Sequence, residues 1–117
     1  MNATTLAHRG YAPTATPLKS ARRAEYEVIA RITSRLTAAI KEKDFNKLIA
    51  AMHENRTLWR KLGQSVASPD NLLPDDLRAR LIYLSEFTEH HTRKAIQREV
   101  SATPLVEINT AILRGLK

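Results

Sequence analysis

Residues 44–66, DFNKLIAAMHENRTLWRKLGQSV, decide the fold class, because their apolar side chains repeat at the spacing of a helix. The apolar positions recur every three or four residues and form one stripe: Phe45, Leu48, Ile49, Met52, Trp59, Leu62 and Val66. Asp44 directly precedes the stripe and is a favourable N-cap residue, since its carboxylate accepts backbone N–H groups of a first turn. This stretch therefore predicts an amphipathic helix that buries one face.

Two residues within the stretch are unusual for such a helix. Asn55 falls in register between Met52 and Trp59 and should point toward other protein, where its amide needs partners on a neighbouring helix or loop. Gly63 lowers helix propensity by about 1 kcal/mol relative to Ala, unless another backbone comes close there. We therefore expect Asn55 to hold a joint between this helix and its neighbours.

Similar stripes lie on both sides of this helix. A first helix of about 22 residues is predicted from Ser20 to the KEKD segment. After the turn-rich segment 65–77, Pro74 suits the first turn of a third helix, and Pro104 starts a short fourth one. The three further stripes are Tyr26, Ile29, Ile32, Leu36 and Ile40; Leu77, Leu81, Leu84, Thr88, His91 and Ala95; and Leu105, Ile108, Ile112 and Leu116. No segment alternates with period two, so the fold class is all-α, a small bundle of about four helices.

The N-terminal segment differs in composition from the rest of the chain. Residues 1–17 lack periodicity and are rich in Thr, Ala and Pro, so we interpret them as a flexible N-terminal arm that Tyr11 anchors. Residues 18–117 then form a single all-helical domain. The chain has no cysteine, no secretory signal and no apolar run that could cross a membrane. We therefore expect a cytoplasmic protein without membrane insertion.

The net charge of +7 is concentrated in the first part of the chain. Residues 1–66 hold twelve basic and five acidic residues, whereas residues 67–117 hold seven of each. Such asymmetry indicates either a solvated basic face or a surface for an acidic partner, RNA or an anionic membrane. The candidate nucleic-acid contacts lie on the first helix: Arg22, Arg23, Arg31 and Arg35. No aromatic residues interleave these arginines as stacking platforms for bases.

The sequence contains no pattern that supports catalysis. It has no glycine-rich phosphate loop, no HExxH and no nucleophile elbow. His90 and His91 are adjacent, which places them about 100° apart on a helix and not on one face. We predict no catalytic residue, no metal and no cofactor, and we interpret His91 as a hydrogen-bonded packing residue.

Several short motifs follow one another from Tyr11 to Leu116. They are Glu25-Tyr26 with Arg23, Arg31 and Thr33; Asn55-Arg56-Thr57-Leu58-Trp59; Asn71-Leu72-Leu73-Pro74; Leu77-Arg78-Ala79; His91-Thr92; Ile108-Asn109; and Gly115-Leu116. In this order and spacing they resemble the flagellar biosynthesis regulator FlaF family. Phe87 departs from the family pattern, where a tryptophan often stands.

The resemblance implies a non-enzymatic regulator that binds flagellin as a cytosolic export chaperone and couples flagellin synthesis to secretion. It implies FlbT and the flagellar type III export apparatus as further partners. The candidate partner-binding residues are Asn55, Arg56, Trp59, Leu73, Pro74 and His91. We expect a groove where the second helix meets residues 71–74 and the third helix. The alternative is an RNA-binding post-transcriptional regulator of flagellin mRNA that acts with FlbT.

Overall fold

The computed structural model describes the backbone of residues 12–116 and the side chains of residues 23–115. It contains four helices: α1 (Ala12–Glu42), α2 (Phe45–Ala67), α3 (Asp75–Ile96) and α4 (Thr103–Leu116). No strand occurs among the described residues. The prediction of an all-α bundle of about four helices is therefore confirmed.

The first helix begins earlier than its apolar stripe indicates. We placed its start at Ser20, and the structure extends α1 back to Ala12. Pro13 lies in the first turn, where the missing N–H is not needed, and Pro17 removes one backbone hydrogen bond in the next turn. Residues 1–11 of the predicted arm, including Tyr11, lie outside the described residues.

The joint between α1 and α2 is set by two residues of the KEKD segment. Lys43 has a φ of 56°, the left-handed conformation that often ends a helix. Its backbone N–H donates to the Ile40 carbonyl over 3.2 Å. Asp44 then caps α2, because its Oδ1 accepts the Lys47 backbone N–H over 3.1 Å. The prediction that Asp44 is the N-cap residue is confirmed.

The four helices pack around a small apolar core in the order α3–α2–α1–α4. α2 packs against α1 on one side and α3 on the other, and α4 returns along α1 with a smaller contact to α3. The backbones of α2 and α4 do not approach closely, so long side chains must bridge them. The main core cluster joins all four helices: Ile32, Leu36, Ala51, Met52, Ala95, Ala102 and Leu105.

The apolar stripe of α3 is shifted from the predicted one. Thr92 is fully buried, whereas His91 lies at the border of the core and Leu77 is 39% exposed. α3 packs mainly on α2 and has only a small contact with α4. Its N-terminal end leaves apolar surface exposed at Leu77.

Candidate functional site

An open groove runs between α2 and α3. Its volume is about 620 Å³, and its apolar side is formed by Trp59, Gly63, Ala67, Ile82 and Thr88. Its rim carries three arginines and two glutamates: Arg56, Arg60, Arg93, Glu86 and Glu89. We call this feature the α2–α3 groove. A partly apolar floor with a charged rim is the composition of a protein-binding surface.

The floor of the groove depends on the close approach of Gly63 to Ser85. A Cβ atom on Gly63 would overlap Ser85 Oγ and lie 3.1 Å from Ser85 Cβ. Ser85 Oγ donates to the Trp59 backbone carbonyl over 3.1 Å, which holds α3 against α2 at this point. From the sequence we expected another backbone close to Gly63. The structure instead places the side chain of Ser85 there.

The rim is organised around Glu89. Arg60 donates two hydrogen bonds of 2.8 Å to the Glu89 carboxylate, one from Nε and one from Nη2. Arg56 Nε lies 3.4 Å from Glu89 Oε2. The hydrogen bond from Arg60 and the charges of Arg56, Arg60 and Arg93 lower the pKa of Glu89 below its usual value, although partial burial opposes this. Glu89 is therefore ionised and shared among several guanidinium groups.

Arg56 lies deeper in the groove wall than expected for a rim residue. Only 14% of its side chain is exposed, compared with 58% for Arg60. Its Nε atom is buried and makes no hydrogen bond to any described residue. The buried Nε cannot reach a ligand in the groove, so the donors of Arg56 that a ligand can contact are its two Nη groups.

Two of the predicted partner-binding residues lie in the interior. Asn55 and Trp59 are 0% and 2% exposed. Asn109 of α4 donates from Nδ2 to Asn55 Oδ1 over 2.8 Å, and Trp59 Nε1 donates to Asn109 Oδ1 over 2.9 Å. This chain of hydrogen bonds bridges α2 and α4. The expectation that Asn55 points inward and bonds to a neighbouring helix is confirmed, and its role in this conformation is structural.

An apolar surface stands beside the groove, at the turn between α2 and α3. Leu72, Leu73 and Leu77 are 87%, 39% and 39% exposed, and we call these three residues the leucine tip. Pro74 is also exposed and immediately precedes α3. α2 ends at Ala67, which lines the groove, so this end of the groove lies near the turn. Leu73 and Pro74 themselves do not line the groove, which corrects the expectation that residues 71–74 form part of it.

Two polar side chains hold the turn that displays these leucines. Asn71 Nδ2 donates to the Ser65 carbonyl over 3.1 Å, and its Oδ1 accepts the Leu73 backbone N–H over 3.0 Å. Arg78 donates from Nε to the Val66 carbonyl over 2.9 Å. Arg78 therefore caps the last turn of α2, whose carbonyls have no partner within the helix.

His91 lies at the other end of α3 from the leucine tip. Fourteen residues separate it from Leu77, which corresponds to about 21 Å along a helix. Its Nε2 lies 2.7 Å from the Ser101 carbonyl, and its ring stacks on Phe87 with centroids 5.3 Å apart. The structure thus places His91 at the opposite end of α3 from Leu73 and Pro74. It does not line the groove, although Glu89, which pairs with Arg56, is only two residues away. The bond of His91 to Ser101 fits the interpretation as a hydrogen-bonded packing residue.

The candidate nucleic-acid contacts lie on a different helix from the groove. Arg23, Arg31 and Arg35 are exposed on α1, and Arg35 is already paired with Glu54 of α2. The side chain of Arg22 lies outside the described residues. Contact of these residues with RNA stays a prediction.

Sequence reasoning missed the charged half of the groove. The pairing of Glu89 with Arg56 and Arg60 has no signal in the sequence, because these partners lie on another helix about 30 residues away. Glu89 and Arg93 were open to prediction as a Glu–Arg pair four residues apart on one helix. Asn109 was open to prediction, since it stands four residues after Leu105 on the stripe of α4, as Asn55 stands on that of α2.

The fold and this surface define a small all-α protein with an open groove between two helices. Residues 7–116 match the family described as flagellar protein FlaF, and the chain belongs to that family. No curated protein and no solved structure matches the chain. None of the described helices is both long and apolar enough to cross a membrane.

Proposed function

We propose that this protein binds flagellin in the cytosol as an export chaperone and thereby couples flagellin synthesis to secretion. Membership of a flagellar protein family supports a role in flagellum biology. The observation that carries the step to a binding function is the leucine tip beside the α2–α3 groove. In this proposal the protein has no enzymatic activity and acts together with FlbT and the type III export apparatus.

The leucine tip exposes more apolar surface than folding requires. Leu72 and Leu73 are consecutive and lie in a turn, where polar residues are usual, and Leu72 is 87% exposed. Full burial of a leucine side chain contributes about 1.5–3 kcal/mol, so a partner that covers these residues gains free energy without rearranging the domain. These exposed leucines support the proposal that the tip contacts a partner protein.

The terminal segments of flagellin are suitable occupants, because they are amphipathic and become ordered helices only in the filament. A groove between two helices accepts the apolar face of a third helix. Covering that face would prevent premature polymerisation. The charged rim keeps the contact partly polar, which favours the reversible binding that export demands.

Isothermal titration of purified flagellin tests this proposal. The variant Leu72→Ser, Leu73→Ser removes the apolar tip from an exposed turn and should weaken binding at least tenfold, about 1.4 kcal/mol, while circular dichroism stays unchanged. Tyr83→Ser is the matched control, because Tyr83 is 64% exposed on α3 but does not line the groove. Equal affinity of the two variants would contradict a role of the tip.

The second candidate function is binding of flagellin mRNA through the basic face of α1. The exposed Arg23 and Arg31 and the charge excess in residues 1–66 favour it. RNA binding should fall steeply with salt, because cations are released from the phosphates, whereas binding of an apolar helix should not. Loss of RNA binding in Arg23→Glu, Arg31→Glu, with no effect of the leucine variants, would make this the better proposal.

A further inference from the structure

The rim of the α2–α3 groove carries more positive than negative charge, and the excess is not neutralised within the groove. Arg60 occupies both oxygens of Glu89 with its two hydrogen bonds. Arg56 is left with a 3.4 Å contact to the same carboxylate and a buried Nε without a hydrogen bond. Arg93 makes no ion pair with any described residue within 4 Å. The buried Nε is out of reach of a partner, so the available donors are the Nη groups of Arg56 and the guanidinium of Arg93.

We propose that Arg56 and Arg93 bind a carboxylate carried by an otherwise apolar segment of the partner, in the α2–α3 groove. This inference rests on the proposed function, since it specifies the chemistry of the flagellin segment. The segment would place an Asp or Glu at the border of its apolar stripe, where the rim meets the floor. Arginine suits this task because its planar fork matches the geometry of a carboxylate.

The surroundings of the two arginines favour a protein segment over a nucleic acid. The groove floor is formed by Trp59, Ala67 and Ile82 rather than by exposed aromatic faces on which bases could stack. The two glutamates of the rim would repel a chain of phosphates more strongly than the single carboxylate of an Asp or Glu side chain, and Arg56 and Arg93 line the same groove.

Glu89 acts as an internal competitor in this arrangement. Its carboxylate attracts the same guanidinium groups that the partner's carboxylate requires. In the free protein it thus holds the arginines in the groove, and in the complex it shares them. Removing the charge of Glu89 should strengthen the binding of the partner's carboxylate, because the arginines then have no competing acceptor, while the other contacts of the partner with the groove remain the same.

Titration of purified flagellin against charge variants tests the inference. Arg93→Glu should weaken binding about tenfold, as expected when a charged hydrogen bond is replaced by repulsion. Arg56→Lys should weaken it severalfold, because it keeps the charge and loses the fork. Glu89→Gln should strengthen it about threefold. The affinity of the unaltered protein for flagellin should fall severalfold between about 50 mM and about 500 mM salt, much less steeply than RNA binding would, and that dependence should be smaller in Arg93→Glu.

The matched control is Arg80→Glu, which changes the net charge equally on the same helix. Arg80 is exposed and does not line the groove, so its reversal should change the affinity less than about twofold. Equal effects of Arg80→Glu and Arg93→Glu in folded variants would overturn the inference and leave flagellin binding intact. Loss of binding to flagellin mRNA, but not to flagellin, in Arg93→Glu would also overturn it. No binding of flagellin by the unaltered protein would overturn the proposed function and this inference together.

Discussion

The buried hydrogen bonds that link Asn55, Asn109 and Trp59 predict which of two variants, Asn109→Leu or Asn55→Leu, loses more stability. Asn109 occupies the middle of the chain, where it accepts from Trp59 and donates to Asn55. Asn109→Leu therefore leaves two buried groups without a partner, the Trp59 N–H and Asn55 Oδ1. Each such group costs about 1–3 kcal/mol, so the variant should lose about 2–6 kcal/mol of unfolding free energy.

Asn55→Leu should cost less than Asn109→Leu. It leaves only Asn109 Nδ2 without its acceptor, and it removes Asn55 Nδ2, which already lacks a partner among the described residues. We expect a loss of about 1–2 kcal/mol, so the two variants should differ by at least about 1 kcal/mol. For a domain with a total stability of about 5–15 kcal/mol, this difference is easily measured.

Urea unfolding followed by circular dichroism and by fluorescence measures both variants. Trp59 is the single tryptophan, so its emission reports on the site itself. Asn46→Leu is the control, because Asn46 is exposed in the first turn of α2 and should leave the midpoint nearly unchanged. Equal losses in Asn55→Leu and Asn109→Leu, or a larger loss in Asn55→Leu, would refute the arrangement of donors and acceptors described above.

Three further predictions concern the joints of the bundle and the rim of the groove. Gly63→Ala should destabilise the fold by about 1 kcal/mol, because the displacement of Ser85 outweighs the gain in helix propensity. In a double-mutant cycle measured by thermal unfolding, Gly63→Ala should cost less stability when Ser85 is already replaced by Ala. Lys43→Gly should stabilise by about 0.5–1 kcal/mol in urea unfolding, since glycine adopts the positive φ without strain; an unchanged midpoint would argue against that backbone conformation. The pKa of Glu89 is lower in the folded protein than in the unfolded chain, mainly because of its hydrogen bond with Arg60. The ion pair therefore stabilises the fold fully at pH values above the pKa of the unfolded chain, and this stabilisation is lost as the pH falls through the pKa of the folded protein. Acid titration of Glu89→Gln should therefore show a smaller loss of stability at low pH than the unaltered protein shows.

The sequence predicted the features that follow from periodicity and from capping chemistry. Asp44 was identifiable as the N-cap of α2, because a carboxylate directly before an apolar stripe can accept the free N–H groups of the first helical turn. Asn55 was identifiable as a buried polar residue, because it stands between Met52 and Trp59 on the apolar stripe. The groove was not predictable in detail. Its charges depend on which faces of α2 and α3 meet, and that is fixed by packing between residues far apart in the chain.

The sequence also could not separate residues that build the fold from residues that are open to a partner. Within the motif of residues 55–59, Asn55 and Trp59 are buried, whereas Arg56 lines the groove. In residues 71–74, Asn71 fastens the turn, whereas Leu72 and Leu73 are exposed. A loss of binding in Trp59→Ala would therefore not locate the partner, because removing this side chain leaves a cavity that costs about 3–5 kcal/mol. Only substitutions at exposed or rim positions distinguish a binding defect from unfolding, which is why the leucine tip and the groove arginines are the decisive test sites.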